Sequence, residues 1–468
     1  MIRRLLALLL TAALALTAAP AAADIPKGRN LRAQALNGPS IQIDPTFPYY
    51  QNRSPASIAD EIARAGYRSV HYFVTNEKRI DGDLVRALRS RGMAVWALTL
   101  AFGSYTVEGY PADYPSWQQK LLSASQPGFY SFSPWSADYL AFKKRSLAEV
   151  IQKYPFDGIE LAESFLPDWN GISSGFYGDV GPLAEAAFKA EHGLEMPDFT
   201  DPASPRYYLT DTARYDTWVD FRVAGVNAFL GELVRGQDGL RQARPGVLVG
   251  SWSIAVDAGD GSVARERELQ AVDAPAMIDA VRPDIHFIQT NWPDWLKPDL
   301  APGYVAGYRP YVDQIRRSHP TLRLGVQADI GSTVATARDR EWIASFEAAA
   351  TELGFSTWTA YEHSLGAYMY REAPQVKAVT CGPRRITVHF HKRVDAAGGA
   401  FTVRSSRPVA VREVTVDGNQ AILRVDRLPR GRFTLGIEGV KDTPSLWVFN
   451  KTMPANTVPA GYTVSGSC

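Results

Sequence analysis

Four acidic residues stand at or near the ends of β-type runs. Glu160 and Glu163 lie in FDGIELAESF from Phe156, Asp329 in LRLGVQADIG from Leu322, and Glu362 in FSTWTAYEHS from Phe355. Paired carboxyl groups can cleave a glycosidic bond: a protonated one assists the leaving oxygen while an ionised one attacks or activates water, at separations of about 5 to 9.5 Å. A carboxyl group buried near like charges and aromatic walls keeps its proton more readily, which suits the acid. Glu163 is therefore the expected general acid/base. Glu362 is the expected nucleophile or base, with Asp329 competing for that role. Glu160 sits deeper in its run and is the weakest catalytic candidate; pairing with His71 or a hydrogen bond to Gln327 is its other reading. Aromatic residues fall within or after the same runs: Tyr49, Tyr50, Trp169, Trp252, Trp292, Trp295 and Trp358. Sugar rings present apolar faces that stack on such side chains. Asp44, His71, Trp252, Trp292, Gln327 and Tyr361 are the expected substrate contacts.

These residues need a scaffold that brings distant strand ends together. Eight β-type runs occur between Ser40 and Leu365, beginning at Ser40, Tyr67, Met93, Phe156, Val247, Asp284, Leu322 and Phe355. Helical stretches separate them: SPASIADEIARAG, DGDLVRALRSRG and SADYLAFKKRSLAEVIQKY each open on a capping type of residue, and the first two close on glycine. Alternating strands and helices with short links imply parallel pairing and right-handed crossovers. No glycine-rich phosphate loop follows the first run, so a nucleotide fold has no support. The expected fold is α/β, a (β/α)8 TIM barrel, whose active site lies at the C-terminal rim.

Period two then orients the strands. Leu324, Val326 and Ala328 face the helices, leaving Gln327 and Asp329 inward. By the same rule Gln42, Asp44, His71, Thr75 and Glu160 point into the barrel, and Glu163 stands just past the tip of the fourth strand. A long insertion follows that strand and leads into a helix from Thr212 to about Arg235. Its Trp218, Phe221, Gly225 and Phe229 share one face and read as core. The insertion itself could shape a cleft wall.

After Pro374 the pattern changes to RRITVHFHKRV, AFTVRSSRPVAVREVTVDG, QAILRVDRL and RFTLGIEGV, separated by turn signals such as DAAGG and DGNQ. This is the expected C-terminal antiparallel β-sandwich. His389 and His391 alternate along one of its strands and read as a solvated face, since no acidic or cysteine partner lies nearby in sequence. The boundaries expected are a signal peptide over 1–23, the barrel over 24–372 and the sandwich over 373–468. The signal reading rests on MIRRLLALLLTAALALTAAPAAAD, with two arginines, an apolar run and small residues before Asp24. It implies a secreted or periplasmic protein.

Lysine plus arginine number 50 and aspartate plus glutamate 49, so nothing steers the chain toward a polyanion such as nucleic acid. A neutral partner suits this balance. The first apolar stretch is too short for a membrane span and no later one is longer. Cys381 and Cys468 are the only cysteines, and in an oxidising setting they are expected to form a disulfide. No cofactor is expected and no metal: a set of Asp44, His71 and Glu160 lacks HxH or HExxH spacing.

The phrases FDGIELAESFLPDW, AFKAEHGLEMP and YDTWVDFRVAGVNAFLGELVRGQDGLRQARPGVLVG resemble the broad group of bacterial glycoside hydrolase-like barrels. That group includes the family 10-like hypothetical glycosyl hydrolases and, more distantly, clan A enzymes. The resemblance covers roughly Ile41 to Leu365 and implies a secreted glycoside hydrolase acting on a polysaccharide or oligosaccharide. Clan A barrels place an Asn-Glu acid/base at the end of strand four and a glutamate nucleophile at the end of strand seven. Here Ala162 precedes Glu163, and strand seven offers Asp329. Chitinase-type barrels carry spaced acids along strand four after a similar DGI; here Ala162 and Ser164 follow Glu160. A binding protein on a barrel without a catalytic pair is the alternative that these departures imply.

Overall fold

The structure is a computed structural model that describes residues 30–123, 128–167 and 171–468. The expected signal peptide and Trp169 lie outside the described residues. Eight parallel strands close into a barrel: β1 Gly38–Ile43, β2 Ser69–Phe73, β3 Ala94–Leu100, β4 Gly158–Ala162, β5 Leu248–Ile254, β6 Ile285–Gln289, β7 Arg323–Asp329 and β8 Thr357–Tyr361. Each pairs with the next, and β8 returns to β1 through Gly38 against Thr357. These are the eight runs read from sequence, trimmed at their ends.

The helices begin where their capping residues dictate. Helix α1, Leu31–Ala35, lies ahead of β1 and packs its Ala35 under the barrel, where Trp96 Nε1 donates to the Ala35 carbonyl at 3.2 Å. Helices α2 Pro55–Arg64, α3 Gly82–Ser90 and α4 Ala137–Lys153 follow Ser54, Asp81 and Ser136, whose side chains accept from backbone N–H groups of the first turn. Each such cap is worth about 1 kcal/mol. Beyond α2 and α3 the chain reverses at Gly66 (φ 96°) and Gly92 (φ 77°), conformations that cost glycine little.

Alternation along the strands divides the apolar residues into two sets. Ile159, Leu161, Leu324, Val326 and Ala328 pack outward against the helices. Trp96, Leu98, Leu100, Trp252 and Phe287 fill the barrel's interior. Glycines make room for that filling: a Cβ at Gly158 would sit 2.2 Å from the Trp96 ring, and one at Gly325 would sit 2.4 Å from Phe287. Replacing either would displace an aromatic residue from the lumen.

The insertion after β4 contains α5, Pro182–His192, and α6, Thr212–Arg235. Phe188, Trp218 and Phe221 form an aromatic core of their own there, and Phe229 packs on the barrel cluster. The reading of these α6 aromatics as core therefore holds. A further short helix, α7 Ala367–Arg371, ends the barrel segment.

The C-terminal region is a two-sheet antiparallel sandwich. Strands β9 Val376–Gly382, β10 Arg385–Phe390, β12 Val411–Asp417 and β13 Gln420–Val425 form one sheet in the order β9-β10-β13-β12. Strands β11 Ala400–Arg404, β14 Arg432–Glu438 and β15 Thr463–Ser467 form the other, in the order β11-β14-β15. Ile386, Val388, Leu423, Leu435 and Ile437 lie between the sheets. Cys381 and Cys468 form the expected disulfide, tying the last residue to β9.

The seam between barrel and sandwich is polar and buried. Asp60 of α2 lies 2.7 Å from His389 Nδ1, accepts from Asn419 Nδ2 at 3.2 Å, and also pairs with Arg64 and Arg91. Next to it Glu61 accepts from Arg53 at 2.8 Å and from the Tyr49 hydroxyl at 2.6 Å, and lies 3.0 Å from His363 Nε2. Burial pushes both carboxyl groups up, but these partners prevail and hold Asp60 well below the usual range and Glu61 at about 2. The solvated-face reading of His389 and His391 is thus corrected: both are buried. Their carboxylate neighbours lie outside the sandwich strands, Asp60 on α2 and Glu372 just after α7.

Candidate active site

A cavity of about 480 Å³ opens at the C-terminal ends of the strands. Its polar lining converges from four of them: Gln42 on β1, Gln289 on β6, Gln327 on β7 and Tyr361 on β8. Gln327 Nε2 donates to Gln42 Oε1 at 2.7 Å, which fixes both amides across the rim. Trp252 forms part of the floor, stacked on Phe287 with ring centroids 4.7 Å apart. Tyr105, Phe129, Trp292 and Trp295 add walls from the loops. Tyr105 is 48% and Trp292 41% exposed, so both present ring surface to an incoming ligand.

Glu163 is the one carboxylate that lines this cavity among the described residues. It follows β4 with φ 49°, a left-handed conformation that is uncommon outside glycine and is often found where function fixes a side chain. Among the described residues no hydrogen-bond donor meets its carboxyl group. Burial alone raises it to about 7, so in neutral solution it is divided about evenly between its protonated and ionised forms. A second chamber of about 20 Å³, lined by Gln119, Phe129, Phe165 and Pro167, touches its other side. That is room for about one water molecule.

The other expected acids stand behind the wall. Glu362 is fully buried, and both its oxygens are engaged. Ser364 N–H donates to Oε1 at 2.6 Å with the Ser364 hydroxyl beside it, while the Tyr50 hydroxyl donates to Oε2 at 2.9 Å and Asp44 N–H lies 3.4 Å away. Burial lifts Glu362 to about 8 against the pull of the Ser364 and Tyr50 hydrogen bonds. Asp329 caps the turn after β7, accepting from Gly331 and Ser332 N–H at 2.8 Å each and from the Ser332 hydroxyl. Burial raises it as well, and Ser332 itself lines the cavity. Asp44 accepts from Thr46 N–H at 2.9 Å and from the Thr46 hydroxyl at 2.6 Å.

Glu160 and His71 lie inside the barrel. His71 Nδ1 is 2.8 Å from Glu160 Oε2, and its Nε2 is 2.9 Å from the Ser40 hydroxyl, which donates to the Trp358 carbonyl. Trp96 stacks on the imidazole, and Trp252 meets it edge-on at 6.4 Å. The pair supports Trp252 from within. Both ring nitrogens of His71 are thereby committed.

Of the expected contacts, then, Trp252, Trp292, Gln327 and Tyr361 line the cavity with Glu163, whereas Asp44 and His71 do not. Trp358 turns outward and packs near Phe346, and Tyr49 and Tyr50 are buried as hydrogen-bond donors to Glu61 and Glu362. Tyr105, Phe129, Gln289 and Phe449 line the cavity without having been expected there. Gln289 continues the inward period of β6 and was readable from it; the other three lie on loops or in the C-terminal region, where no period applies. The insertion helices α5 and α6 contribute nothing to the lining.

No protein-family model matches the chain, and no curated protein matches it. Solved structures of glycoside hydrolases are among its structural neighbours. The catalytic domain of beta-amylase from Paenibacillus polymyxa is 12% identical, with a TM-score of 0.46 over 70% of this chain and 92% of that one. Beta-galactosidase from Bacillus circulans sp. alkalophilus is 12% identical, with a TM-score of 0.48 over 70% of this chain. The match spans half the galactosidase chain, at 50%. The endo-beta-1,4-mannanase from Thermotoga petrophila is 9% identical, with a TM-score of 0.40 over 93% of this chain and 98% of that one. Among the described residues, no helix is long and apolar enough to cross a membrane, and no group of three or more His, Cys, Asp or Glu side chains is placed to hold a metal ion.

Proposed function

We propose that the protein is an exported glycoside hydrolase of oligosaccharide or polysaccharide, with Glu163 as its general acid. The observation that carries the reading is Glu163 itself: a carboxyl group unpartnered among the described residues, raised to about 7, between aromatic walls and a ring of amides. Aromatic faces with a few fixed amide groups suit a neutral polyol, for which charged side chains are not required. As the glycosidic C–O bond breaks, Glu163 gives its proton to the leaving oxygen and becomes a carboxylate. Water attacks the anomeric carbon and surrenders a proton to the second carboxylate.

Asp329 and Glu362 are the two partners for that step, and Asp329 fits it better. Its Oδ2 accepts the hydroxyl hydrogen of Ser332, a cavity residue that can pass on a proton drawn from water. Glu362, with every accepting direction occupied, supports the rim. Glu163→Gln should lower kcat on the cleaved glycan by a factor of 10² or more, the scale of general acid catalysis, with the fold intact. Full activity in that variant removes the assignment. Asp329→Asn and Glu362→Gln, assayed separately, identify the partner by the loss of kcat.

The presence of a single carboxylate on the cavity wall among the described residues favours one second reading, a barrel that binds glycan without cutting it. Binding with no release of reducing ends across a glycan panel would establish it.

A further inference from the structure

Phe449 belongs to the C-terminal region, yet it lines the barrel's cavity. We infer that the sandwich completes the binding site, and that Phe449 forms with Trp292 and Tyr105 an outer aromatic subsite for a further sugar unit of a neutral oligosaccharide. The inference rests on the carbohydrate reading above.

The loop that carries Phe449 is pinned to the barrel on both sides. On one side Trp447 is fully buried, edge-on to Tyr370 of α7 at a centroid distance of 5.0 Å, with Lys392 Nζ 5.9 Å from its ring centre. Lys392 is itself buried, donating to the Met369 carbonyl at 3.0 Å and to Asp442 at 2.6 Å. On the other side Asn456 Nδ2 donates to the Tyr370 carbonyl at 2.9 Å and to Asp442 at 2.8 Å. Between the pins, Asn450 takes φ 61°, a left-handed turn that asparagine tolerates, directly after Phe449. The result is an aromatic ring, half-buried, held at the rim by buried anchors.

The cavity lining is graded. Gln42, Gln327, Trp252 and Glu163 supply its polar floor and acid, whereas its most exposed rings, Tyr105 and Trp292, come from loops beyond β3 and β6. A floor of amides with one acid fixes a single sugar by its hydroxyl groups. Exposed rings that hold no polar atom in place recognise the apolar face of a neighbouring unit. Phe449 adds a ring from the C-terminal region to the same lining, so the length of glycan bound depends on the sandwich.

The test is calorimetric titration of the full chain with neutral β-1,4- and α-1,4-linked gluco-oligosaccharides and β-1,4-linked manno-oligosaccharides of two to six units. Phe449→Ala should weaken binding of the longer members about tenfold, in keeping with the loss of one aromatic contact, and leave the shortest bound member within about twofold. Phe449→Tyr, which keeps the ring, should restore the affinity. An unchanged thermal midpoint in Phe449→Ala shows that the fold is kept. Equal affinity of Phe449→Ala and the parent chain for every length overturns the role of the sandwich while leaving the carbohydrate reading in place. Absence of binding to the whole ladder by the parent chain overturns the subsite for these glycans, whereas the carbohydrate reading falls only if Glu163→Gln keeps full activity on a cleaved glycan.

Discussion

Glu362→Gln should stabilise the protein, and increasingly so as the pH rises. The carboxyl group of Glu362 is fully buried and lifted from 4.5 to about 8. In the unfolded chain it ionises near 4.5; in the folded protein it keeps its proton until about 8. Below pH 4.5 both states are protonated and folding costs nothing at this group. Between pH 4.5 and 8 the unfolded state loses the proton first, so stability falls by about 1.4 kcal/mol per pH unit, reaching a deficit of roughly 3 kcal/mol at pH 7 and about 5 kcal/mol above pH 8. Glutamine has no proton to lose. Its carbonyl can accept from Ser364, and its amide can donate to the Tyr50 oxygen; only the weak approach of Asp44 N–H at 3.4 Å turns unfavourable. Urea unfolding of parent and variant at intervals from pH 4 to 9, followed by tryptophan fluorescence, measures the difference directly. The two should coincide or slightly favour the parent at pH 4 and diverge by about 3 kcal/mol at pH 7. Parallel profiles across the range would refute the buried, protonated Glu362. A variant that is stabilised yet inactive would mark Glu362, rather than Asp329, as the partner of Glu163.

Three further outcomes follow from the same geometry. On a cleaved glycan, kcat/KM should decline with an apparent pKa near 7 on the alkaline side, because Glu163 acts as a proton donor and is lost as pH rises through its value of about 7; a pH–rate profile flat to pH 9 would contradict it. Arg53→Ala should cost about 3–5 kcal/mol in chemical unfolding, since it strands buried Glu61, and the loss should exceed that of Arg86→Ala, whose partner Asp83 is exposed. Replacing both cysteines by serine opens a loop with a sequence separation of 87, which should cost about 4–5 kcal/mol by chain entropy, read as a lowered midpoint of sandwich unfolding.

The barrel was legible because its signals are local. Each strand is a short apolar run between caps and glycines, and period two alone sends Glu160, Gln327 and Tyr361 inward. The same period places Trp358 on the helix side, next to inward Thr357 and Thr359, so its presence among the aromatics of the strands says nothing of a sugar contact. Glu163 was found by its place at a strand tip. What could not be read was whether an inward acid reaches open space: Glu362 and Asp329 turn back onto the hydroxyl and amide groups of residues two or three positions further on, a matter of turn geometry rather than spacing. His389 looks solvated in sequence because its partner, Asp60, lies 329 residues away. Phe449 was missed for a related reason: its neighbours are set by how the two regions dock.

That docking bears on how the molecule could be divided. A barrel expressed without residues 373–468 would keep Asp60 and Glu61 but lose His389 and Asn419, and the Tyr49 hydroxyl would lose the hydrogen bond it accepts from Arg393 N–H. Tyr49 donates to Glu61 and its neighbour Tyr50 to Glu362, so a cut at the seam would loosen the residue next to the one that holds Glu362. Domain shuffling, by evolution or by hand, would have to exchange α2 and its loop together with the sandwich. The smallest heritable unit of this architecture is larger than either of its folds.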